Sequence, residues 1–210
     1  GDDFYMQPVW HPGGRAVAVV AWNQPQMPWD GTQLRVVRLR VDEENGTRPP
    51  TVEDVTVVAG GPDESVFQPE FSPDGRFLAY VSDRTGWWQL HLYDLHTGEH
   101  TQLTDGPCEH GQPAWVQGLR TYAFAPDGRS IYFIRNETGF HSVWQCRLDE
   151  RDGRVLPHNV RVDGFDEYAV LGQIAVTAAD GDKVAIAAIA SAPDIPPRIV
   201  VGYEIGRAHV

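Results

Sequence analysis

The sequence has little that would build a disulfide scaffold or cross a membrane. It contains two cysteines, Cys108 and Cys146, among 210 residues. Two cysteines do not make the disulfide framework of small secreted domains, so we expect two unpaired thiols. The longest apolar run, Val184 to Ala190, is much shorter than the roughly 20 residues that span a bilayer. We therefore expect no membrane-spanning segment.

Positive charge is also scarce. The chain has 17 Lys and Arg against 29 Asp and Glu, a net charge of −12. An acidic domain repels phosphate backbones and anionic lipid surfaces, so we expect neither a nucleic-acid nor a membrane partner. The first residues, Gly1-Asp2-Asp3, do not resemble a signal peptide, which favours a cytoplasmic location. The first residue is not Met, which favours a start within a longer protein.

Familiar catalytic motifs are missing too. The sequence has no Gly-x-Ser-x-Gly, no His-Glu-x-x-His and no phosphate-binding Gly-x-x-x-x-Gly-Lys, so we expect no catalytic triad, no metal and no cofactor. A zinc site is the alternative interpretation of His91, His96 and His100, which are followed by Cys108 and His110. His91 and His96 would lie on opposite faces of a strand, which favours solvated or turn histidines.

A hairpin signal recurs along the chain. Its copies cover residues 10–20, 71–81, 124–134 and, more weakly, 179–187. The clearest turn is Pro73-Asp74-Gly75, followed by a basic residue and a β-branched or aromatic run. Proline fixes φ, aspartate bonds its own backbone and glycine supplies a positive φ, so the copies predict equivalent β-hairpin turns. A Gln-Pro pair precedes the first three copies, at Gln7, Gln68 and Gln112.

The segments between these hairpins predict further strands. After the second copy, an alternating segment from Trp87 to Leu95 precedes a short strand at His100 to Thr104. Each repeat thus holds four antiparallel strands in about 50 to 60 residues, which is typical of a β-propeller blade. A β-sandwich is the alternative all-β fold, but it does not require such a repeat. We expect roughly four blades of an incomplete propeller over residues 1–203.

The C-terminal residues depart from this pattern. Residues Arg198 to Tyr203 begin a strand, but nothing completes a blade, so we expect the isolated chain to self-associate. Residues 204–210 match the translation of a common sequencing adapter and are expected to be a non-native tail; a native tail is the alternative.

Two longer strings resemble a known family. Residues 27–31, Met-Pro-Trp-Asp-Gly, and residues 83–88, Asp-Arg-Thr-Gly-Trp-Trp, are similar to the N-terminal propeller of prolyl-oligopeptidase-family serine peptidases, of the dipeptidyl aminopeptidase and acylaminoacyl-peptidase type. The resemblance covers about residues 1–203. It implies that an α/β-hydrolase domain with Ser, Asp and His follows the propeller, and that the propeller admits short peptides to it. The Pro-Asp-Gly repeat alone also occurs in TolB-like propellers.

The best candidates for a functional surface are aromatic. The loop from Trp22 to Trp29 includes Met27 and two prolines, more apolar surface than a solvated loop needs. Trp87 and Trp88 are a second pair, at least one of which we expect to pack between blades. These residues are predicted to contact the hydrolase domain or to line the substrate entrance. The alternative function is a stand-alone TolB-like propeller that binds a protein partner.

Overall fold

The computed structural model describes residues 1–41, 49–181 and 183–205, and in these ranges the chain forms strands and turns without a helix. The prediction of an all-β fold is therefore confirmed. No helix in these ranges is long and apolar enough to cross a bilayer. The strands are β1 (Phe4–Trp10), β2 (Ala16–Trp22), β3 (Gln33–Arg40), β4 (Thr51–Gly60), β5 (Val66–Phe71), β6 (Phe77–Ser82), β7 (Gln89–Asp94), β8 (His100–Gln102), β9 (Tyr122–Phe124), β10 (Ser130–Glu137), β11 (Phe140–Arg151), β12 (Arg154–Arg161), β13 (Val170–Ala178), β14 (Lys183–Ala192) and β15 (Ile195–Ile205).

The strands form four antiparallel sheets in which neighbours in sequence are neighbours in space. Sheet 1 contains β1 to β4, sheet 2 contains β5 to β8, and sheet 3 contains β9 to β12. Sheet 4 contains β13 to β15 within the described residues. Each sheet corresponds to one sequence repeat, so the sheets are the predicted propeller blades.

The repeated hairpin turns are equivalent, as predicted. In the second turn, the Ser72 amide donates to the Phe77 carbonyl (2.9 Å) and the Gly75 amide donates to the Ser72 carbonyl (2.8 Å). The first and third turns make the same two bonds from His11 and Gly14, and from Ala125 and Gly128. The fourth turn keeps one of them, from the Ala179 amide to the Lys183 carbonyl (2.9 Å).

The chain divides into two compact units, each with its own core. The first unit comprises Gly1–Gly86, Leu90–His100 and Pro113–Gly118; the second comprises Trp87–Gln89, Thr101–Gln112 and Leu119–Val210. In the first, side chains of sheets 1 and 2 pack together, with Leu34, Leu78 and Tyr80 fully buried. In the second, sheets 3 and 4 share a core that contains Tyr132, Ile174 and Ile186. In both units, a sheet buries one face against the next sheet.

Glutamines join the first strands of neighbouring sheets. Gln7 and Gln68 lie at β-bulges of β1 and β5 with φ of 48° and 49°. The Gln68 amide donates to the Gln7 side-chain oxygen at 2.8 Å. Gln112, the glutamine of the third Gln-Pro pair, lies outside any strand. In sheet 4, Gln173 lies at the β13 bulge and accepts a 2.8 Å bond from the Arg120 amide.

The structure changes several predicted strand limits. The strand predicted to begin at Trp87 begins at Gln89 in the structure, as β7. The strand predicted over residues 100–104 ends at Gln102, as β8. β15 continues through Glu204 and Ile205, which pair with Val184 and Lys183. Residues 206–210 of the proposed adapter tail lie outside the described residues, and the origin of that tail stays a prediction.

Two turns of the first unit interlock through a histidine. The His11 ring donates from Nε2 to the Gly75 carbonyl at 2.9 Å and lies edge-on to Phe71, with the ring centroids 5.0 Å apart. A Cβ on Gly75 would lie 2.5 Å from this ring. Gly14 is the equivalent residue of the first turn, has a similar positive φ and has no heavy atom in reach of a Cβ.

We therefore expect Gly75→Ala to be much more destabilising than Gly14→Ala. Both variants incur the positive-φ cost of about 1 kcal/mol, but only the Cβ added at Gly75 collides with His11. The added loss of unfolding free energy should be about 1–3 kcal/mol, measured by urea denaturation. In a His11→Ala background, the two alanine variants should become similar. Equal losses in the wild-type background would contradict the interlock.

A buried histidine makes the first unit sensitive to acid. His91 is 3% exposed, its ring stacks on Tyr80 (5.4 Å between centroids), and its Nε2 atom has no hydrogen-bond partner. Burial, with smaller effects from the charges of Arg84 and His100, lowers the pKa of His91 to about 3. The native state thus keeps a neutral ring at pH values where an unfolded chain is protonated.

We expect stability to fall as the pH decreases below about 6.5, the ordinary pKa of histidine. Between pH 7 and pH 5, His91 alone should account for a loss of about 2 kcal/mol, because only the unfolded state takes up the proton. His91→Phe keeps the stacking on Tyr80 and should remove this part of the pH dependence, measured by denaturant titration at both pH values. The control is His96→Gln, at an exposed histidine. An unchanged pH dependence in His91→Phe would refute the assignment.

Candidate contact surface on the loop between the second and third strands

The loop of residues 23–32 joins β2 to β3 and carries the apolar side chains that the sequence singled out. Its prolines, Pro25 and Pro28, have no amide hydrogen to donate to a strand ladder. Together with Asp30-Gly31 they end the sheet pairing at Trp22 and Gln33. The sequence of this segment therefore selects a turn instead of a continuous two-residue hairpin.

A closed turn at the tip of the loop presents Met27 and Trp29 to solvent. The Asp30 amide donates to the Met27 carbonyl at 2.9 Å, and the Met27 amide donates to the Asp30 carboxylate at 3.3 Å. Met27 is 44% exposed and Trp29 is 38% exposed, whereas Pro28 between them is buried. The turn thus directs two large apolar side chains outward from a buried centre.

The connection between sheets 1 and 2 anchors this turn. The Ser65 hydroxyl donates to the Pro28 carbonyl at 2.7 Å, and the Thr32 hydroxyl accepts from the Val66 amide at 2.8 Å. Gly31 packs so closely that a Cβ there would lie 2.3 Å from the Pro62 carbonyl oxygen. Only glycine allows this approach. The loop is therefore anchored to residues 62–66, which connect sheet 1 to sheet 2.

The N-terminal residues clamp the base of the loop. Asp3 and Asn23 are joined by a 2.8 Å bond from the Asp3 amide to the Asn23 side-chain oxygen, and Asn23 in turn donates to Asp2 at 3.0 Å. Arg35 makes two bonds to the Asp2 carboxylate, at 2.5 and 2.8 Å. Burial by itself would raise the pKa of Asp2, but the bonds from Asn23 and Tyr5 and the charge of Arg35 lower it overall. Asp2 is thus held as a carboxylate at the loop base.

A cleft of about 220 Å³ lies beside this clamp. Trp22, which stacks on Phe4 with ring centroids 5.3 Å apart, forms part of its wall. Gln24, Gln26 and Pro62 also line it. The volume is below the roughly 300–1,000 Å³ of typical small-molecule pockets, and Asp2, the one acidic residue among the described residues that line it, is already paired with Arg35. The geometry favours a surface for macromolecular contact over a small-molecule pocket.

Trp87 and Trp88, the other two predicted contact residues, differ in solvent exposure. Trp87 is 41% exposed, whereas Trp88 is 7% exposed. The Trp88 amide donates to Glu109 at 2.7 Å, and its carbonyl accepts from the His110 amide at 2.8 Å. Both tryptophans belong to the second unit, while Trp22, Met27 and Trp29 belong to the first. Trp88 is the member of the pair that packs, and Trp87 is the one that offers a surface.

Sequence reasoning missed a further exposed pair in the first unit. Trp115 is 72% exposed and Val116 is 58% exposed, in the connection that precedes β9. Neighbouring Gln117 accepts a 3.5 Å bond from the Gln7 amide. The signal that could have found this pair is the insertion after the third Gln-Pro, where apolar residues follow a break in the repeat.

The cysteine and histidine cluster has the chemistry of a packed interior. Cys108 and Cys146 are unpaired and buried, as expected. Burial raises the pKa of the Cys108 thiol and raises that of Cys146 to about 12, which disfavours a nucleophilic thiolate. His110 lies 3.9 Å from the Cys108 sulfur, and burial lowers its pKa to about 4. Among the described residues, no three His, Cys, Asp or Glu side chains are grouped as metal ligands.

The Asp30 carboxylate is expected to hold the loop tip in place. Asp30→Ala removes the acceptor of the Met27 amide, so hydrogen exchange of the peptide that covers residues 23–32 should become at least several-fold faster. Global stability should fall by about 1 kcal/mol or less, because the turn lies at the surface. Asp30→Asn retains a side-chain oxygen and should exchange nearly as slowly as the wild type. If Asp30→Ala exchanged no faster, another contact would be fixing the turn.

Comparison with known proteins found peptidases among the proteins that this chain resembles. No family model matches the chain. A peptidase of Bacillus subtilis, the uncharacterized YuxL, is 32% identical over 121 residues, which are 54% of this chain and 17% of YuxL. The structure of a Mycobacterium tuberculosis puromycin-hydrolyzing peptidase matches 99% of this chain with a TM-score of 0.72 and 29% identity. A puromycin hydrolase structure matches 96% of the chain with a TM-score of 0.69 and 30% identity.

The chain is much shorter than these relatives. It spans 29% of the M. tuberculosis peptidase and 27% of the puromycin hydrolase. The match extends over nearly the whole of this chain, which forms three four-stranded antiparallel sheets and one sheet with three described strands. The chain is therefore similar to the β-propeller part of prolyl-oligopeptidase-family peptidases.

Proposed function

We propose that this chain is a non-catalytic propeller region that controls the access of peptides to an α/β-hydrolase domain of the same polypeptide. The observation that carries the proposal is the match to the puromycin-hydrolyzing peptidase, which extends over 99% of the chain with 29% identity. Such a match includes loops as well as blades. In the parent protein, hydrolysis would follow the acyl-transfer chemistry of a nucleophilic Ser activated by His.

The chemistry of the chain supports a non-catalytic role. The sequence has no nucleophile elbow, the buried thiols have raised pKa values, and the Asp2 carboxylate is engaged by Arg35. The chain also presents an apolar loop tip, formed by Met27 and Trp29, which is anchored through the bond from Ser65 to Pro28. A surface of this kind suits contact with a partner domain or with the apolar side chains of a passing peptide.

Control of access depends on rigidity. A wall that excludes large substrates has to resist opening, and the loop of residues 23–32 is fixed by Ser65, Thr32 and the Asp2–Arg35 clamp. The exposed side chains of Met27 and Trp29 then define the surface that a substrate or the hydrolase domain meets. The peptide partner and the hydrolase-domain partner are both part of this proposal.

The decisive experiment begins with the reading frame in the source DNA. We expect a Gly-x-Ser-x-Gly motif downstream of the propeller region. The whole protein should then cleave short aminoacyl or acyl-aminoacyl reporters but not a folded protein, and removing the propeller should relax this size limit. Met27→Ser with Trp29→Ser should alter size selection in the whole protein, whereas Phe140→Ser, at an exposed aromatic of β11, is the control.

The 210-residue chain by itself should not hydrolyse these reporters. Turnover that persists through repurification and disappears with one serine substitution in this chain would contradict the non-catalytic role. A reading frame that ends without a hydrolase domain would contradict the gating proposal. That second outcome would instead favour the stand-alone TolB-like binding propeller.

A further inference from the structure

The cleft beside the loop of residues 23–32 is lined mainly by uncharged groups. Apart from Asp2, its described lining residues lie at the end of β2, in the loop, at the start of β3 and in the connection that leads to sheet 2. The charge of Asp2 is balanced by its ion pair with Arg35. A charged ligand would lose hydration here without gaining an unpaired opposite charge, so the cleft favours an uncharged ligand.

Three glutamines give the cleft its hydrogen-bonding groups. Gln24 and Gln26 line it, and no described residue hydrogen-bonds their side-chain amides. Gln33 accepts two bonds from Arg35 on its side-chain oxygen, at 3.2 and 2.7 Å, so its NH₂ group is the part that can donate to a ligand. A glutamine amide carries a donor and an acceptor side by side, as a peptide bond does. These side chains are therefore complementary to the backbone of a peptide.

Trp22 adds an apolar wall to the same cleft. Phe4 stacks on its ring, with the centroids 5.3 Å apart, and this contact fixes the indole in position. Trp22 is only half-buried, so part of its surface is accessible. An apolar wall next to amide groups suits an extended peptide, in which backbone amides alternate with side chains along the chain.

A glycine keeps the cleft open. Gly61 lines it, and a Cβ at this position would meet no heavy atom within 4 Å. Gly61 does not have the positive φ that favours glycine, so the backbone there accepts a larger residue. A side chain at this position would extend into open space beside the cleft. The space that a ligand needs is therefore present because residue 61 has no side chain.

We propose that this cleft binds an uncharged, extended segment of a peptide through the backbone amides of that segment, with Trp22 against its side chains. The choice of a peptide as the ligand rests on the proposed function, in which the whole protein acts on peptides. A volume of about 220 Å³ suits a short part of a longer chain better than a complete small-molecule ligand. Because the backbone amides of a folded protein are already paired, such a site favours unfolded segments.

Nuclear magnetic resonance titration of the 210-residue chain is the test. The probe is an acetylated and amidated tetra-alanine peptide, which offers backbone amides and carries no charge. We expect saturable shifts of the side-chain amide signals of Gln24 and Gln26 and of the indole signal of Trp22. The second probe is maltotetraose, an uncharged ligand that offers hydroxyl groups instead of peptide amides. It should cause no such shifts.

Two variants test the position of the peptide. Gly61→Phe should abolish the shifts, because the ring would occupy the space beside the cleft. The matched control is Gly172→Phe in β13, where the glycine also lacks a positive φ and has no heavy atom within 4 Å of an added Cβ. The double variant Gln24→Leu with Gln26→Leu leaves the space unfilled. It should weaken binding about fivefold or more, the equivalent of one lost neutral hydrogen bond.

Three results would overturn the proposal. The tetra-alanine peptide could cause no saturable shift of these signals. Gly61→Phe or the double leucine variant could bind the peptide as tightly as the wild type, which would place the peptide elsewhere. Maltotetraose could cause the same shifts, which would indicate a carbohydrate site. Each measurement uses the chain by itself, so a reading frame without a hydrolase domain would contradict the gating proposal and leave this binding result unchanged.

Discussion

A four-stranded sheet has two faces, and the hairpins of one repeat cannot cover either of them. This constraint governs the rest of the structure. In the first unit, sheets 1 and 2 bury Leu34, Leu78 and Tyr80 between them, and in the second unit sheets 3 and 4 do the same around Ile174 and Ile186. The cost of ordering a repeat is offset only when its neighbour is in place. The repeats are therefore cooperative partners, although each is local in sequence.

The same constraint explains why the functional candidates lie in connections. Because strand residues supply the core that neighbouring sheets share, the loops are the parts most available to meet other molecules. The loop of residues 23–32 contains both residues that anchor it and residues that are exposed to solvent. Pro28 and Gly31 are packed on the following connection, while Met27 and Trp29 face solvent. Alternation between buried anchors and exposed apolar residues is what distinguishes this loop from a merely solvated turn.

Sequence patterns predicted the blades because turn chemistry is local. Pro73-Asp74-Gly75 specifies its hairpin almost alone, and the structure repeats its hydrogen bonds at His11 and Ala125. Long-range contacts could not be predicted in this way. The backbone of Trp88 is held by Glu109 and His110, Pro28 is anchored by Ser65, and the bulge glutamine of sheet 4, Gln173, is not part of a Gln-Pro pair. Each depends on residues brought together by folding, which a single sequence does not reveal.

The bulge glutamines have a consequence for how the chain reaches its native state. The bond from the Gln68 amide to Gln7 closes a span of 61 residues, and the His11–Gly75 bond closes one of 64. The hairpins around these residues close only short loops. Loop-closure entropy therefore favours hairpins first and inter-blade bonds later. During synthesis, sheet 1 can be formed while sheet 2 is still emerging from the ribosome, and its uncovered face is then the surface most exposed to chaperones and to premature association.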